Sequence, residues 1–169
     1  GEHEISSGNS ELAFFIAKYD NNANLIWAKT MSGNGTGTGN LISIDEKGDI
    51  YAVGTFSGTI QFETQSMTAA SVENTDNFLV KYAADGSMVW ARSLKGSKLD
   101  DINAMDVANH QVVIGGVIRS EDLAVDNAPG ILMKTLDTTG TWNSMLIISF
   151  DTDGNYQWNY IAGSSNQPT

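Results

Sequence analysis

Hydrophobic and polar residues alternate over short stretches of the chain, and residues that favour turns separate the stretches. This two-residue periodicity predicts β-strands, and Asp, Asn and Gly between paired strands predict hairpins. Three of the hairpins share a pattern in which an aromatic residue is followed eight positions later by a tryptophan. These tryptophan hairpins contain the pairs Tyr19 and Trp27, Tyr82 and Trp90, and Phe150 and Trp158. Their recurrence predicts a protein built from repeats.

A second kind of hairpin alternates with the tryptophan hairpins. Its two copies, the intervening hairpins, begin near Asn40 and Asn103, which lie 63 residues apart, as do Trp27 and Trp90. One hairpin of each kind makes a unit of four antiparallel strands. A single four-stranded sheet buries little apolar surface alone, so the units are expected to stack.

Four-stranded units with aromatic residues at fixed offsets are typical of propeller blades, and closed propellers have four to eight blades. The sequence predicts an all-β fold of β-propeller-type repeats with about two and a half blades present; an irregular β-sandwich is the alternative. We expect other polypeptide, or further copies of the chain, to complete the ring. The predicted tryptophan hairpins span 12–31, 76–94 and 145–162, and the intervening hairpins span 40–62 and 102–125. We expect residues 1–11 to form an N-terminal lead, 12–162 the repeat region and 163–169 a polar tail.

Composition and charge exclude several classes of function. The net charge of −11 would repel nucleic acids and anionic membrane surfaces, so neither is an expected partner. The chain contains no cysteine, which excludes disulfides and thiol chemistry. No apolar stretch is long enough to predict a membrane-spanning helix.

The first unit resembles a known bacterial repeat. The resemblance lies in 17–20 and 24–29 of the tryptophan hairpin, in 33–35, and in Ile42–Asp45, Gly48–Gly54 and Phe56–Phe62. These segments look like the SBBP repeat, a seven-bladed β-propeller repeat of secreted and surface bacterial proteins. The resemblance implies an exported protein of the periplasm, cell surface or extracellular space, and it implies no reaction.

Few side chains are candidates for chemistry, and we predict no catalytic, cofactor-binding or metal-binding residue. Asp151–Asn155 resembles the start of a calcium loop, but no acid follows where such a loop needs one, so a turn is favoured and a calcium ion is the alternative. The glycine-rich segment 33–39 lacks the helix that a phosphate loop requires and is expected to be a flexible loop between blades. Isolated histidines and adjacent acids are expected to be solvated: His3, His110, Asp100, Asp101, Glu121 and Asp122.

The tryptophans divide into two groups. Trp27, Trp90 and Trp158 recur once per unit and are predicted to pack between blades, where a large ring buries most area. Trp142 lies outside the repeat and is the candidate exposed aromatic for contacting a ligand. Residues 131–136 are predicted to form an extra strand near it.

These observations favour a non-catalytic binding or scaffold module of an exported bacterial protein, which recognises protein or glycan through propeller loops. One alternative is part of a propeller-fold, glycan-active enzyme whose site lies in other blades. Another is a structural spacer in a surface adhesin or filament.

Overall fold

The computed structural model describes residues 6, 12–71, 74–136 and 143–163, and this part of the chain confirms the all-β prediction. It contains no helix, and so none that could span a membrane. The described residues contain fifteen strands: β1 (Phe15–Tyr19), β2 (Leu25–Thr30), β3 (Ser32–Gly33), β4 (Thr36–Ile44), β5 (Ile50–Ser57), β6 (Thr59–Phe62), β7 (Gln65–Thr68), β8 (Asp76–Tyr82), β9 (Met88–Lys95), β10 (Asp101–Ala108), β11 (Gln111–Ile118), β12 (Leu123–Val125), β13 (Leu132–Met133), β14 (Ser144–Asp151) and β15 (Tyr156–Ala162).

The strands form several antiparallel sheets. The middle sheet has the order β4-β5-β8-β9, extended past β9 by β12 and β13, and the last sheet has the order β10-β11-β14-β15. Each therefore joins an intervening hairpin to the tryptophan hairpin that follows it. The first sheet contains only the tryptophan hairpin β1-β2. A separate small sheet joins β3, β6 and β7, and the described residues do not close into a ring.

Recurrent β-bulges explain the spacings seen in the sequence. Asn40 and Asn103 are each the extra residue of a bulge, in β4 and in β10. In every tryptophan hairpin the residue just before the tryptophan is also bulged, so that the aromatic residue pairs with the residue two positions before the tryptophan. Tyr19, for example, pairs with Leu25 while its neighbour Lys18 pairs with Trp27.

Two apolar clusters fill the spaces between successive sheets. Side chains alternate between the two faces of a strand, so Phe78, Val80 and Tyr82 of β8 face the first sheet while Leu79 faces the last sheet. The first cluster includes Phe14, Phe62 and Phe78, whose rings meet at centroid distances of 5.0 to 5.8 Å. The core therefore lies between sheets, as stacked repeats require.

The glycine-rich segment 33–39 is not the loop that the sequence predicted, because most of it belongs to strands β3 and β4. Two features make it a strand. The hydroxyls of Thr36 and Thr38 form hydrogen bonds with hydroxyls on the neighbouring strand β5, at 2.8 and 2.9 Å. A Cβ built at Gly37 would lie 2.6 Å from the Met31 sulfur, and one at Gly39 would lie 2.8 Å from the Phe14 ring. The glycines are thus needed for close packing between sheets rather than for loop flexibility.

A short hairpin follows each intervening hairpin. The first, β6-β7, pairs with β3, and the second, β12-β13, pairs with the end of β9. The Ser32–Gln61 and Lys95–Ala124 pairs are the same contact displaced by 63 residues. Of the predicted extra strand at 131–136, only Leu132–Met133 is strand.

Candidate functional site

The same kind of contact recurs between each pair of neighbouring sheets. Trp27 of β2 lies on the turn between β8 and β9, where its Nε1 donates a hydrogen bond to Ala84 O at 3.3 Å. Trp90 of β9 lies on the turn between β14 and β15, where its Nε1 donates to Thr152 O at 3.1 Å. Both acceptors stand two residues before a glycine. We call this arrangement the tryptophan–turn contact.

The glycine in each turn is a geometric requirement of the tryptophan–turn contact. Gly86 and Gly154 have φ values of +90° and +79°, a backbone region that L side chains rarely adopt. A Cβ built at Gly86 would lie 2.8 Å from the ring of Trp27, and one at Gly154 would lie 2.7 Å from the ring of Trp90. Any side chain would therefore push the tryptophan away from the turn.

Lysines reinforce the same contacts. Lys18 Nζ donates to Ala84 O at 2.7 Å and Lys81 Nζ donates to Thr152 O at 3.1 Å, so each turn carbonyl accepts from a lysine and a tryptophan. Lys81 also pairs with Asp49 at 3.0 Å and lies over the ring of Tyr51. Burial alone would lower the pKa of Lys81, but its hydrogen bonds to Tyr51 and Asp49 outweigh burial and raise it. Lys81 therefore joins the middle sheet, through Asp49, to the turn of the last sheet, through Thr152 O.

The third recurring tryptophan departs from this pattern. The predicted packing between sheets is confirmed for Trp90, which is 5% exposed, but it is wrong for Trp158, which is 44% exposed. The reason is that no described sheet follows the last sheet. Met145 and Tyr160 are also exposed, and a groove of about 420 Å³ lies beside them. We call this surface the rear face; its groove is lined by residues that include Ala104, Val113, Gly115, Met145 and Ile147.

A second open surface lies at the opposite end of the stack. Ile42 and Ile44 of β4 are 62% and 60% exposed. Their counterparts 63 residues later are partly or fully covered: Met105 packs against the apolar cluster and Val107 is buried in it. The difference arises because the middle sheet covers β10, whereas the first sheet has no intervening hairpin to cover β4.

The strand edge next to these isoleucines is open as well. β8 and β14 pair with β5 and β11, but β1 pairs only with β2 within the described part of the chain. A pocket of about 210 Å³ between β1 and β4 is lined by residues that include Phe15, Asn40 and Ile42. We call the unpaired edge of β1, this pocket and the exposed isoleucines the front slot. Sequence reasoning missed it, although a comparison at the 63-residue offset pairs Ile42 and Ile44 with core positions.

The predicted calcium-like segment forms a turn closed by its own aspartate. Asp151 Oδ1 accepts hydrogen bonds from the backbone N–H groups of Asp153 and Asn155, and Oδ2 accepts from the side chains of Asn155 and Gln157. Burial raises the pKa of Asp151, but these hydrogen bonds outweigh it and leave the pKa below its usual value. The described residues contain no cluster of three or more His, Asp or Glu side chains arranged to hold a metal ion.

The adjacent acids play structural parts. Asp100 was predicted to be a solvated loop charge, but it is buried, and its Oδ1 accepts from the backbone N–H groups of Arg119 and Ser120 at 2.7 and 2.9 Å. Neighbouring Asp101 forms an ion pair with Arg119 at 2.8 Å. Asp122 is exposed, and its carboxylate accepts from Ser97. These bonds fasten the loop before β10 to the residues that follow β11.

Three other predicted positions remain. His110 is exposed in the turn between β10 and β11, where it and Asn109 both have positive φ. Such a two-residue turn has the backbone twist that a tight hairpin needs. His3 and Trp142 lie outside the described residues, so the assignment of Trp142 as a ligand-contacting aromatic stays a prediction.

Comparison with known proteins gives distant relatives and no matching family model. The chain is 27% identical over 152 residues to the regulatory protein FlaEY of Caulobacter vibrioides. It is 23% identical over 171 residues to an uncharacterized WD repeat-containing protein of Acanthamoeba polyphaga mimivirus. These alignments cover 89% and 94% of this chain but only 15% and 12% of the two relatives. Neither name denotes an enzyme, and the SBBP resemblance stays a prediction.

Proposed function

We propose that the chain is a non-catalytic binding or scaffold module of an exported bacterial protein, built from β-propeller blades, and that its partner is protein. The front slot is the observation that carries this proposal. It combines an unpaired strand edge with exposed isoleucines at positions that are core in the next repeat. Such an edge accepts an added strand through main-chain hydrogen bonds, and apolar pockets beside it select side chains.

The repeat itself indicates what fits the front slot. In the middle sheet, β5 pairs with β8 from Ile50 opposite Tyr82 to Phe56 opposite Asp76. Shifted back by 63 residues, the same register would place a strand along 13–19, which includes β1. The second strand of such a hairpin would cover Ile42 and Ile44 in the way that β4 covers β10. A two-stranded hairpin with alternating apolar residues therefore has the required shape.

A synthetic peptide of residues 36–57, which form β4 and β5, tests this proposal. We expect saturable binding to the chain in calorimetric titration, and binding at least about tenfold weaker to the chain carrying Ile44→Ser, because a buried apolar contact is lost. The matched control is the chain carrying Val89→Ser, which changes an exposed residue of β9 and should bind the peptide normally.

A second control tests which face of the peptide matters. Tyr51 and Val53 are buried against the last sheet, so the peptide with serine at both positions should bind much more weakly. Failure of the parent peptide to bind, or equal binding to the Ile44→Ser chain, would count against the proposal. Export is a separate part of the proposal, and fractionation of cells that express the whole protein tests it.

The names of the two relatives support the proposal in part. One is a regulatory protein and the other a repeat protein, and propeller blades form a common repeat architecture. The chain spans only a small share of each relative. The names of the relatives therefore do not establish what the whole protein does, and its activity is part of what we propose.

A further inference from the structure

The three tryptophan hairpins present different turns to the sheet that precedes them. Gly86 and Gly154 are buried beneath Trp27 and Trp90. The corresponding residue of the first hairpin is Ala23, 63 residues before Gly86, and no glycine occurs in that turn. Ala23 has a φ of +62° and is exposed. The first hairpin thus keeps the backbone shape of the other turns but adds a methyl group at the point where a tryptophan would lie.

The rear face provides the other half of a tryptophan–turn contact. Trp158 occupies the position of Trp90 on β15, and among the described residues no carbonyl accepts from its indole. Ser149, opposite Trp158, replaces Lys81; it is fully buried, and its hydroxyl has no hydrogen-bond partner in the described structure. Tyr160 stands where Arg92 stands in the middle sheet. The rear face therefore offers two exposed, uncharged donors, Trp158 and Tyr160, beside an apolar groove.

A second copy of the chain would fit the rear face if it did not carry one atom, the Cβ of Ala23. Its first sheet exposes Phe15 and Tyr19, whose counterparts Phe78 and Tyr82 are buried between sheets. Its first turn, however, carries the Cβ of Ala23. At the two equivalent positions a Cβ would lie within 2.8 Å of the indole, closer than carbon atoms can pack. Its other two turns are already covered by its own tryptophans.

We propose that the rear face docks a hairpin turn with glycine at the Gly86 position, supplied by polypeptide other than a second copy, and that Ala23 prevents head-to-tail self-association. This proposal rests on the proposed role as a binding module and names the partner of one surface. Because it concerns the rear face, it can fail while the front slot binds its hairpin, and the reverse also holds.

Sedimentation of the Ala23→Gly chain tests the role of Ala23. We expect the parent chain to remain monomeric and Ala23→Gly to form concentration-dependent oligomers, because an interface between two different faces can propagate. Moderate salt should be present to screen the net charge of −11. Adding Trp158→Ala to Ala23→Gly should restore the monomer. A monomeric Ala23→Gly chain, or oligomers that survive Trp158→Ala, would overturn the proposal, and so would association of the parent through Trp158.

A peptide titration tests the need for glycine in the partner. The probe is a synthetic peptide of residues 76–95, cyclised through its ends, which presents the turn that contains Gly86. We expect it to bind the parent chain and to bind the Trp158→Ala chain at least about tenfold more weakly. The same peptide with Gly86→Ala should lose a comparable factor. Equal binding of the two peptides, or no binding of either, would contradict the proposal, and circular dichroism of each chain variant confirms that it is folded.

Discussion

The tryptophans show how one residue type takes different parts at equivalent positions. Trp90 is covered by the last sheet and contacts Gly154, while Trp158 lies on the open rear face. The sequence predicted the recurrence and the packing of Trp90 from spacing alone. It could not predict the exposure of Trp158, because exposure depends on which sheet follows, and the repeat pattern does not show which sheet follows.

Substitution of these two rings by alanine should separate the roles. Trp90→Ala should lower the free energy of unfolding by about 3–5 kcal/mol, because a large buried ring is lost and a cavity remains. Trp158→Ala should lower it by a smaller amount, roughly 1–2 kcal/mol, because nearly half of that side chain is already exposed to water. Urea denaturation followed by circular dichroism measures both. Equal losses would refute the assignment of Trp90 to the core between sheets.

At the scale of elements, the turns are as important to the fold as the strands. Asp20, Asp45 and Asp151 each accept hydrogen bonds from the backbone N–H groups two and four residues later. The sequence predicted these turns from Asp, Asn and Gly. It misassigned 33–39 because glycine usually signals a loop, whereas here Gly37 and Gly39 make room for Met31 and Phe14, which flank the strands of the first sheet.

The turn between β14 and β15 offers a test of the tryptophan–turn contact. Gly154→Ala should destabilise the chain by about 1–3 kcal/mol more than Gly130→Ala, because overpacking adds to the cost of positive φ. Gly130 is a matched control, since its φ is +86° and a Cβ there would meet nothing within 4 Å. Thermal or urea denaturation of the two variants measures the difference. Similar losses would show that backbone strain alone requires the glycine at 154.

At the scale of the whole molecule, the repeat predicts which positions face a neighbouring sheet, and the ends of the stack decide whether that neighbour is present. The four-stranded unit was visible in the sequence because its spacings recur. The front slot and the rear face were not visible in the sequence, because each is a surface that is exposed only because no neighbouring sheet covers it. Ile44 and Val107 occupy the same repeat position, and only Val107 is buried.

Alanine at these two positions should therefore have unequal effects. Val107→Ala should cost roughly 2 kcal/mol of unfolding free energy, since a buried apolar side chain is truncated between two sheets. Ile44→Ala removes more carbon atoms but should cost less than about 0.5 kcal/mol, because the side chain is already in water. Urea denaturation of the chain alone gives this order.

With the peptide of residues 36–57 bound, the loss for Ile44→Ala should rise towards that for Val107→Ala, because the peptide would then bury Ile44. A loss for Ile44→Ala that does not change when the peptide binds would mean that the peptide does not occupy the front slot.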